Sequence, residues 1–231
     1  MLRPKINSRR SRSCTAVAGI IAELSRAAEI LPIRFNGAKE NASEAKIICA
    51  LELAINSGAR VINVSYGKSR TSPALEQAFK RANAAGILIV TAAGNVLENR
   101  DTSPIYPASY RLSNMISVAA VDSRGSFLSV FPESWESSSS YGPNTIDVAA
   151  PGAAISIFNL SGGRTRMSGT SFSAAYVSAI AAEILSREPS LTAGQVKSRI
   201  LSRARQLTPS GSIGSGGKHV RTGYVIFSDF K

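Results

Sequence analysis

Apolar positions in this chain fall into short, nearly unbroken runs, separated by stretches in which they recur every three or four residues. Ile30–Phe35, Arg60–Tyr66, Ile87–Ala92, Met115–Val121 and the less regular Ile146–Ala149 are runs of the first kind. A strand that is apolar at successive positions has both faces covered, as in a parallel sheet between two layers of helices. The helical stretches lie between these runs. Asn41, with Glu44 three residues later, caps a predicted helix that runs to Gly58. Ser72-Pro73 opens another that stops at Gly86, because proline's missing N–H is tolerated in a first turn. Thr170–Arg187 is a third, with Ser and Ala in place of Leu in its first turns, so it can pack close to backbone. Thr192 and Gln195 form a capping box for a fourth, through about Arg203. The alternation predicts an α/β protein with three layers, α/β/α, around a mostly parallel central sheet.

The polar stretches fill in the outline. Pro132–Gly142, with serine at Ser137–Ser140, is expected to be an exposed loop. Ser210–Gly217 is rich in Gly and Ser and reads as a flexible segment. Thr15–Ala22 follows a basic start, as a signal peptide would. Glu23 and Arg26 then stand where small cleavage-site residues belong, so the compartment stays open. No apolar stretch reaches the roughly 18–20 residues of a membrane span, and no membrane partner is expected. The 231 residues carry 27 Lys+Arg against 15 Asp+Glu, a formal charge of +12. That charge favours polyanions in general, but no DNA- or RNA-binding motif accompanies it, so no specific nucleic acid is expected. Cys14 and Cys49 lack metal-site spacing; no metal and no cofactor are expected.

Two segments carry chemistry. Ser168-Gly169-Thr170-Ser171 opens the small-faced helix. A serine there gains from the helix dipole, and its own N–H faces a developing oxyanion. Thr91-Ala92-Ala93-Gly94-Asn95 stands at the C-terminal end of a strand, the edge where open α/β sheets bind ligands. An Asn side chain at that place can donate to an oxyanion.

These segments join four others in a fixed order. Val61-Ile62-Asn63-Val64-Ser65-Tyr66-Gly67, Ala92-Ala93-Gly94-Asn95, Tyr106-Pro107-Ala108, Tyr141-Gly142-Pro143, Asp147-Val148-Ala149-Ala150-Pro151-Gly152 and Ser168–Ser171 follow one another along the chain. The series closely resembles the subtilases, the subtilisin-like serine endopeptidases, over about Thr15–Pro209. The resemblance implies that Ser171 is the nucleophile and Asn95 the oxyanion-hole asparagine. It implies that Ser65, Tyr66 and Gly67 form the edge that pairs with substrate backbone, and that Ala93 and Gly94 belong to the facing wall of the specificity pocket. It further implies a polypeptide substrate or extended peptide ligand. Ile105, just before Tyr106-Pro107, is expected to narrow that pocket. The oligomeric state is left open.

The departures are as informative. Thr15-Ala16-Val17-Ala18-Gly19-Ile20-Ile21 resembles the family segment that follows the catalytic histidine, but Ser13 stands at the histidine position and Cys14 at the next glycine. The residues before Ser13 include no Asp or Glu, and a first strand is not recognisable. Ala175 replaces a common proline. The only histidine, His219, lies in the Gly-rich tail. A serine without a base is a weak nucleophile. The expectation is therefore an incomplete peptidase domain over 15–209, between a basic arm at 1–14 and a flexible tail at 210–231. Its N-terminal strand is expected to be missing, and the chain alone to be inactive or nearly so. The alternatives are a pseudoprotease that binds peptides and a basic polyanion-binding protein.

Overall fold

The computed structural model describes residues 12–35, 43–128, 138–159, 162–207 and 219–230, with side chains from Thr15 onward. Four strands, β1 (Val61–Val64), β2 (Leu88–Ala92), β3 (Met115–Val121) and β4 (Val148–Pro151), form a parallel sheet in chain order. All residues of β2 and β3 are buried, as their unbroken apolar runs require. Successive side chains go to opposite cores. Leu88, Val90, Ile116 and Val118 pack with helices α4 (Thr170–Arg187) and α5 (Ala193–Ser202). Ile89 and Met115 pack with α2 (Glu44–Asn56) and α3 (Pro73–Ala84). Each such side chain contributes about 1.5–3 kcal/mol on leaving water. The result is the expected three-layer α/β/α arrangement.

Local chemistry sets the helix starts. The Ser72 hydroxyl accepts from Leu75 N–H at 3.2 Å ahead of Pro73, and Thr192 and Gln195 make the reciprocal capping box. The α2 cap is Ser43, whose hydroxyl accepts from Lys46 N–H at 3.3 Å; Asn41 lies outside the described residues. β4 begins two residues later than its apolar run. Asp147 N–H is instead taken by Ser117 O at 3.1 Å, and Ile146 O accepts from Arg221 N–H at 2.8 Å.

Several expectations are corrected. Ile30–Phe35 is not a strand: among the described residues it has no ladder partner, and β1 is the outer strand of the sheet. A lone apolar run has nothing to pair with, and Pro32 brings no N–H to a ladder. Phe35 lies edge-on to Tyr66, ring centres 5.6 Å apart. Ser138–Ser140 are buried, not exposed. The tail is anchored from His219 to Phe230. Tyr224 bridges Ala149 and Arg205, and Val220, Val225, Phe227 and Phe230 are buried. Four buried apolar side chains in this short stretch hold it against the rest of the molecule. Thr15–Ala22 belongs to a core helix, α1 (Arg12–Leu24), whose Ala16 and Ile20 pack against Phe172 and Ala175 of α4. An antiparallel hairpin, β5 (Ile155–Phe158) with β6 (Arg164–Met167), completes that cluster and was not foreseen.

Candidate active site

The first turn of α4 is the centre of the arrangement. An α-helix leaves its first N–H groups without internal partners. Here the residue before the helix, Gly169, has no side chain to cap it. Asn95 does so from another element: its Oδ1 accepts from Thr170 N–H at 2.9 Å and from Thr170 Oγ–H at 2.8 Å. The Thr170 hydroxyl in turn accepts from Gly94 N–H at 3.2 Å. With Oδ1 committed, the Asn95 amide nitrogen has no hydrogen-bond partner among the described residues. It lies 3.4 Å from where a Gly169 Cβ would stand, so glycine allows the close approach. The arrangement therefore places a side-chain amide donor beside Gly169, two residues before Ser171.

Ser171 is half-buried and its hydroxyl makes no hydrogen bond among the described residues. Its carbonyl accepts from the Ser65 hydroxyl at 3.3 Å. Ser65 in turn accepts from Asn63 Nδ2 at 3.1 Å, and Asn63 Oδ1 accepts from the Ser178 hydroxyl at 3.0 Å. This relay fixes the Ser65–Gly67 segment beside the helix. The structure thus brings Ser171, Asn95, Ser65, Ala93 and Gly94 together at the C-terminal ends of β1 and β2. Tyr66 and Gly67 continue outward from Ser65, and Gly67 is exposed. Lys68 then forms a two-bond bridge with Tyr106: Lys68 N–H to Tyr106 O at 2.9 Å and Tyr106 N–H to Lys68 O at 2.7 Å.

Behind the Ala93–Asn95 wall stands a buried scaffold that sequence reasoning missed. Arg100 is 4% exposed; its Nε donates to Ala93 O at 3.1 Å and its Nη2 to the Ser140 hydroxyl at 2.8 Å. Ser140 N–H donates to Gly94 O at 2.9 Å and Ser138 N–H to Asn95 O at 3.3 Å. The Ser139 hydroxyl accepts from Ala120 N–H at 2.8 Å. The run of serines reads as a loop because it has no apolar period. Small hydroxyls can nevertheless be buried where each finds a partner. No pattern around Arg100 could have disclosed its role.

His219 is not at Ser171. Its ring stacks on Phe127 at 4.4 Å between centres and meets Tyr141 edge-on. Its Nε2 is buried without a partner among the described residues, and burial lowers its pKa from the ordinary 6.5. Ser13 lies in the first turn of α1, but its side chain is not among those described.

The residue profile of the subtilase family matches residues 11–218. The chain is 35% identical over 214 residues to a thermostable alkaline protease of Halalkalibacterium halodurans, covering 89% of this chain and 55% of that protein. It is 35% identical over 215 residues to subtilisin DY of Bacillus licheniformis, covering 87% of this chain and 73% of that protein. It is 29% identical over 211 residues to alkaline elastase YaB of a Bacillus species, covering 87% of this chain and 52% of that protein. The chain thus spans about half the length of two of these relatives and nearly three quarters of the third. It belongs to the subtilase family.

Proposed function

We propose that this subtilase domain holds an extended polypeptide in the cleft at Ser171 and, as the chain stands, does not hydrolyse it. The observation that carries the reading is an asymmetry at the first turn of α4. Asn95 caps the turn that carries Ser171, by accepting from Thr170 N–H and its hydroxyl, which supports reading that turn as the place where a carbonyl oxygen would be received. The only imidazole in the 231 residues is spent on Phe127 and Tyr141.

In an acyl transfer, the Ser171 Oγ would attack a peptide carbonyl, and the oxygen that becomes negative would meet the Ser171 N–H and Asn95 Nδ2. The proton on Oγ must leave in the same step, and that needs a base within hydrogen-bond reach. Among the described residues nothing accepts from the Ser171 hydroxyl. Peptide binding needs no base. The Ser65–Gly67 segment offers backbone groups to an added strand. The geometry therefore favours a peptide-binding cleft over a hydrolytic one.

The test is intact-mass analysis after incubation with a fluorophosphonate, run beside Ser171→Ala. The expected result is no adduct on a sample whose folding is verified by a cooperative unfolding transition. A Ser171-dependent adduct would show that a base operates, and the chain would then be a peptidase.

A further inference from the structure

Charge is distributed unevenly along the segments that meet at Ser171. Residues 65–72, which leave the cleft from Ser65, include Lys68 and Arg70 and no acid. Residues 152–171, which reach Ser171 through the β5–β6 hairpin, include Arg164 and Arg166 and no acid. Arg164 is spent locally: it pairs with Glu23 and lies over the Phe158 ring, 4.3 Å from its centre. Arg70 and Arg166 are exposed, and neither has an ion pair among the described residues.

The nearby acids are already engaged. Behind Asn95, Glu98 pairs with buried Arg100 at 2.7 Å and accepts from the Ser103 hydroxyl at 3.0 Å. Asp101 accepts from Thr145 N–H and from Asn144 Nδ2, both at 2.8 Å. Glu76, the first acid after Arg70, pairs with Lys80 at 2.7 Å. Both arginines are within reach of a peptide in the cleft. Arg70 stands three residues beyond Gly67 and Arg166 five before Ser171. Those intervals span at most about 11 Å and about 18 Å of extended chain. Screening between exposed charges acts over about 10 Å at 0.1 M salt and about 30 Å at 0.01 M.

We propose that the cleft takes acidic peptides: extended polypeptides with carboxylates on both sides of the residue at Ser171, one flank drawn to Arg70 and the other to Arg166. The assignment rests on reading the cleft as a peptide site, and adds which peptides it holds. The Ser65–Gly67 edge offers backbone groups that pair with any sequence. The two arginines supply the discrimination, because they repel a basic flank and speed the encounter with an acidic one. A guanidinium can also grip a carboxylate with two parallel hydrogen bonds.

The test uses three peptides with a neutral fluorophore and a common tri-alanine centre, flanked on each side by paired glutamates, serines or lysines. Binding is followed by fluorescence anisotropy. At about 20 mM salt the glutamate peptide is expected to bind at least about tenfold more tightly than the lysine peptide, with the serine peptide between. At about 0.5 M salt the spread should shrink to about twofold. Arg70→Glu and Arg166→Glu should each weaken the glutamate peptide severalfold and strengthen the lysine peptide, whereas Arg166→Lys should keep most of the preference. Arg26→Glu is the control. It makes the same change in net charge at the far end of α4, where the neighbouring Ser25 hydroxyl donates to Glu183 at 3.4 Å, about 18 Å along the helix from Ser171. It should move the ratio by less than about twofold. Because these arginines are exposed, the variants should fold as the parent does, which a cooperative unfolding transition checks. Equal binding of the three peptides, or an Arg26→Glu effect as large as those at Arg70 and Arg166, would overturn the assignment while leaving the peptide-binding reading intact. Displacement of the glutamate peptide by an equal concentration of an oligothymidylate of the same charge would overturn it too, since the site would then take any polyanion. If no peptide binds a cooperatively folded chain, the peptide-binding reading falls and this assignment with it.

Discussion

At the scale of single residues, the group with most leverage on the candidate site is one that cannot touch a substrate. Arg100 is buried, and a guanidinium stays charged and offers its donors in a rigid fork. It makes four bonds: to Ala93 O, to Ser140 Oγ, to Ser103 O at 2.9 Å and to the Glu98 carboxylate at 2.7 Å. Three of these go to neutral acceptors that have few alternatives if the donor is removed. The fourth goes to a carboxylate whose side chain is 51% exposed, where water and salt screen the attraction. The two halves should therefore separate. Arg100→Met is expected to destabilise the chain by about 2–4 kcal/mol in urea unfolding, because buried acceptors lose their donor. Glu98→Gln should cost less than about 1 kcal/mol. Equal losses would mean that the ion pair, not the fork, secures the Ala93–Asn95 wall.

At the scale of elements, the turn before α4 is set by how closely β4 approaches it. Gly169 N–H donates to Gly152 O at 2.8 Å. A Cβ on Gly152 would stand 2.8 Å from Ala120 Cβ and 3.0 Å from Gly169 O, and closer still to Ser173 Oγ. Gly152→Ala should therefore cost about 1–3 kcal/mol through overpacking and loosen the turn that presents Ser171. Gly194 in α5 provides the contrast: nothing lies within 4 Å of its added Cβ, and Gly194→Ala should stabilise by about 0.5 kcal/mol. Thermal melts of both variants against the parent chain would decide this. The elements that were legible in the sequence are those with period and caps of their own. β2, β3, α3 and α4 fall where their apolar runs and starting residues place them. Ile30–Phe35 has the right composition for a strand but no neighbour, and a ladder is a property of two segments. The serine run and Arg100 escaped notice because their burial depends on partners distant in sequence. Ser171 and Asn95 were visible as types within motifs, whereas the Asn95 cap on Thr170 needed the fold.

At the scale of the whole molecule, the last twelve described residues run beside the free edge of β4, and a histidine sits at the start of that closing segment. His219 O accepts from Gly142 N–H at 2.8 Å, which holds the ring against Phe127. Arg205 pairs with Asp229, and Phe227 N–H donates to Tyr176 Oη at 3.0 Å, at the other end of the segment. Burial lowers the His219 pKa below 6.5, so the folded chain holds this imidazole neutral while the unfolded chain protonates it near 6.5. The folded state then binds fewer protons between its own pKa and 6.5. Stability should be at its full value above about 6.5 and fall as the pH drops below it, with the loss complete below the folded-state pKa. A second loss belongs at lower pH. Burial would raise the carboxyl pKa of Asp101 and Asp122, but hydrogen bonds outweigh it and leave both below 3.8, so their contribution persists until near pH 4 and is lost beneath it. On a chain already at +12, every proton taken up in either step adds to self-repulsion. Denaturant midpoints measured from pH 8 to pH 3 should therefore decline in two stages. His219→Phe, which keeps the aromatic stack without a titrating nitrogen, should remove the upper stage and leave the lower one. An upper stage that persists in His219→Phe would mean that some other group ties the closing segment to pH.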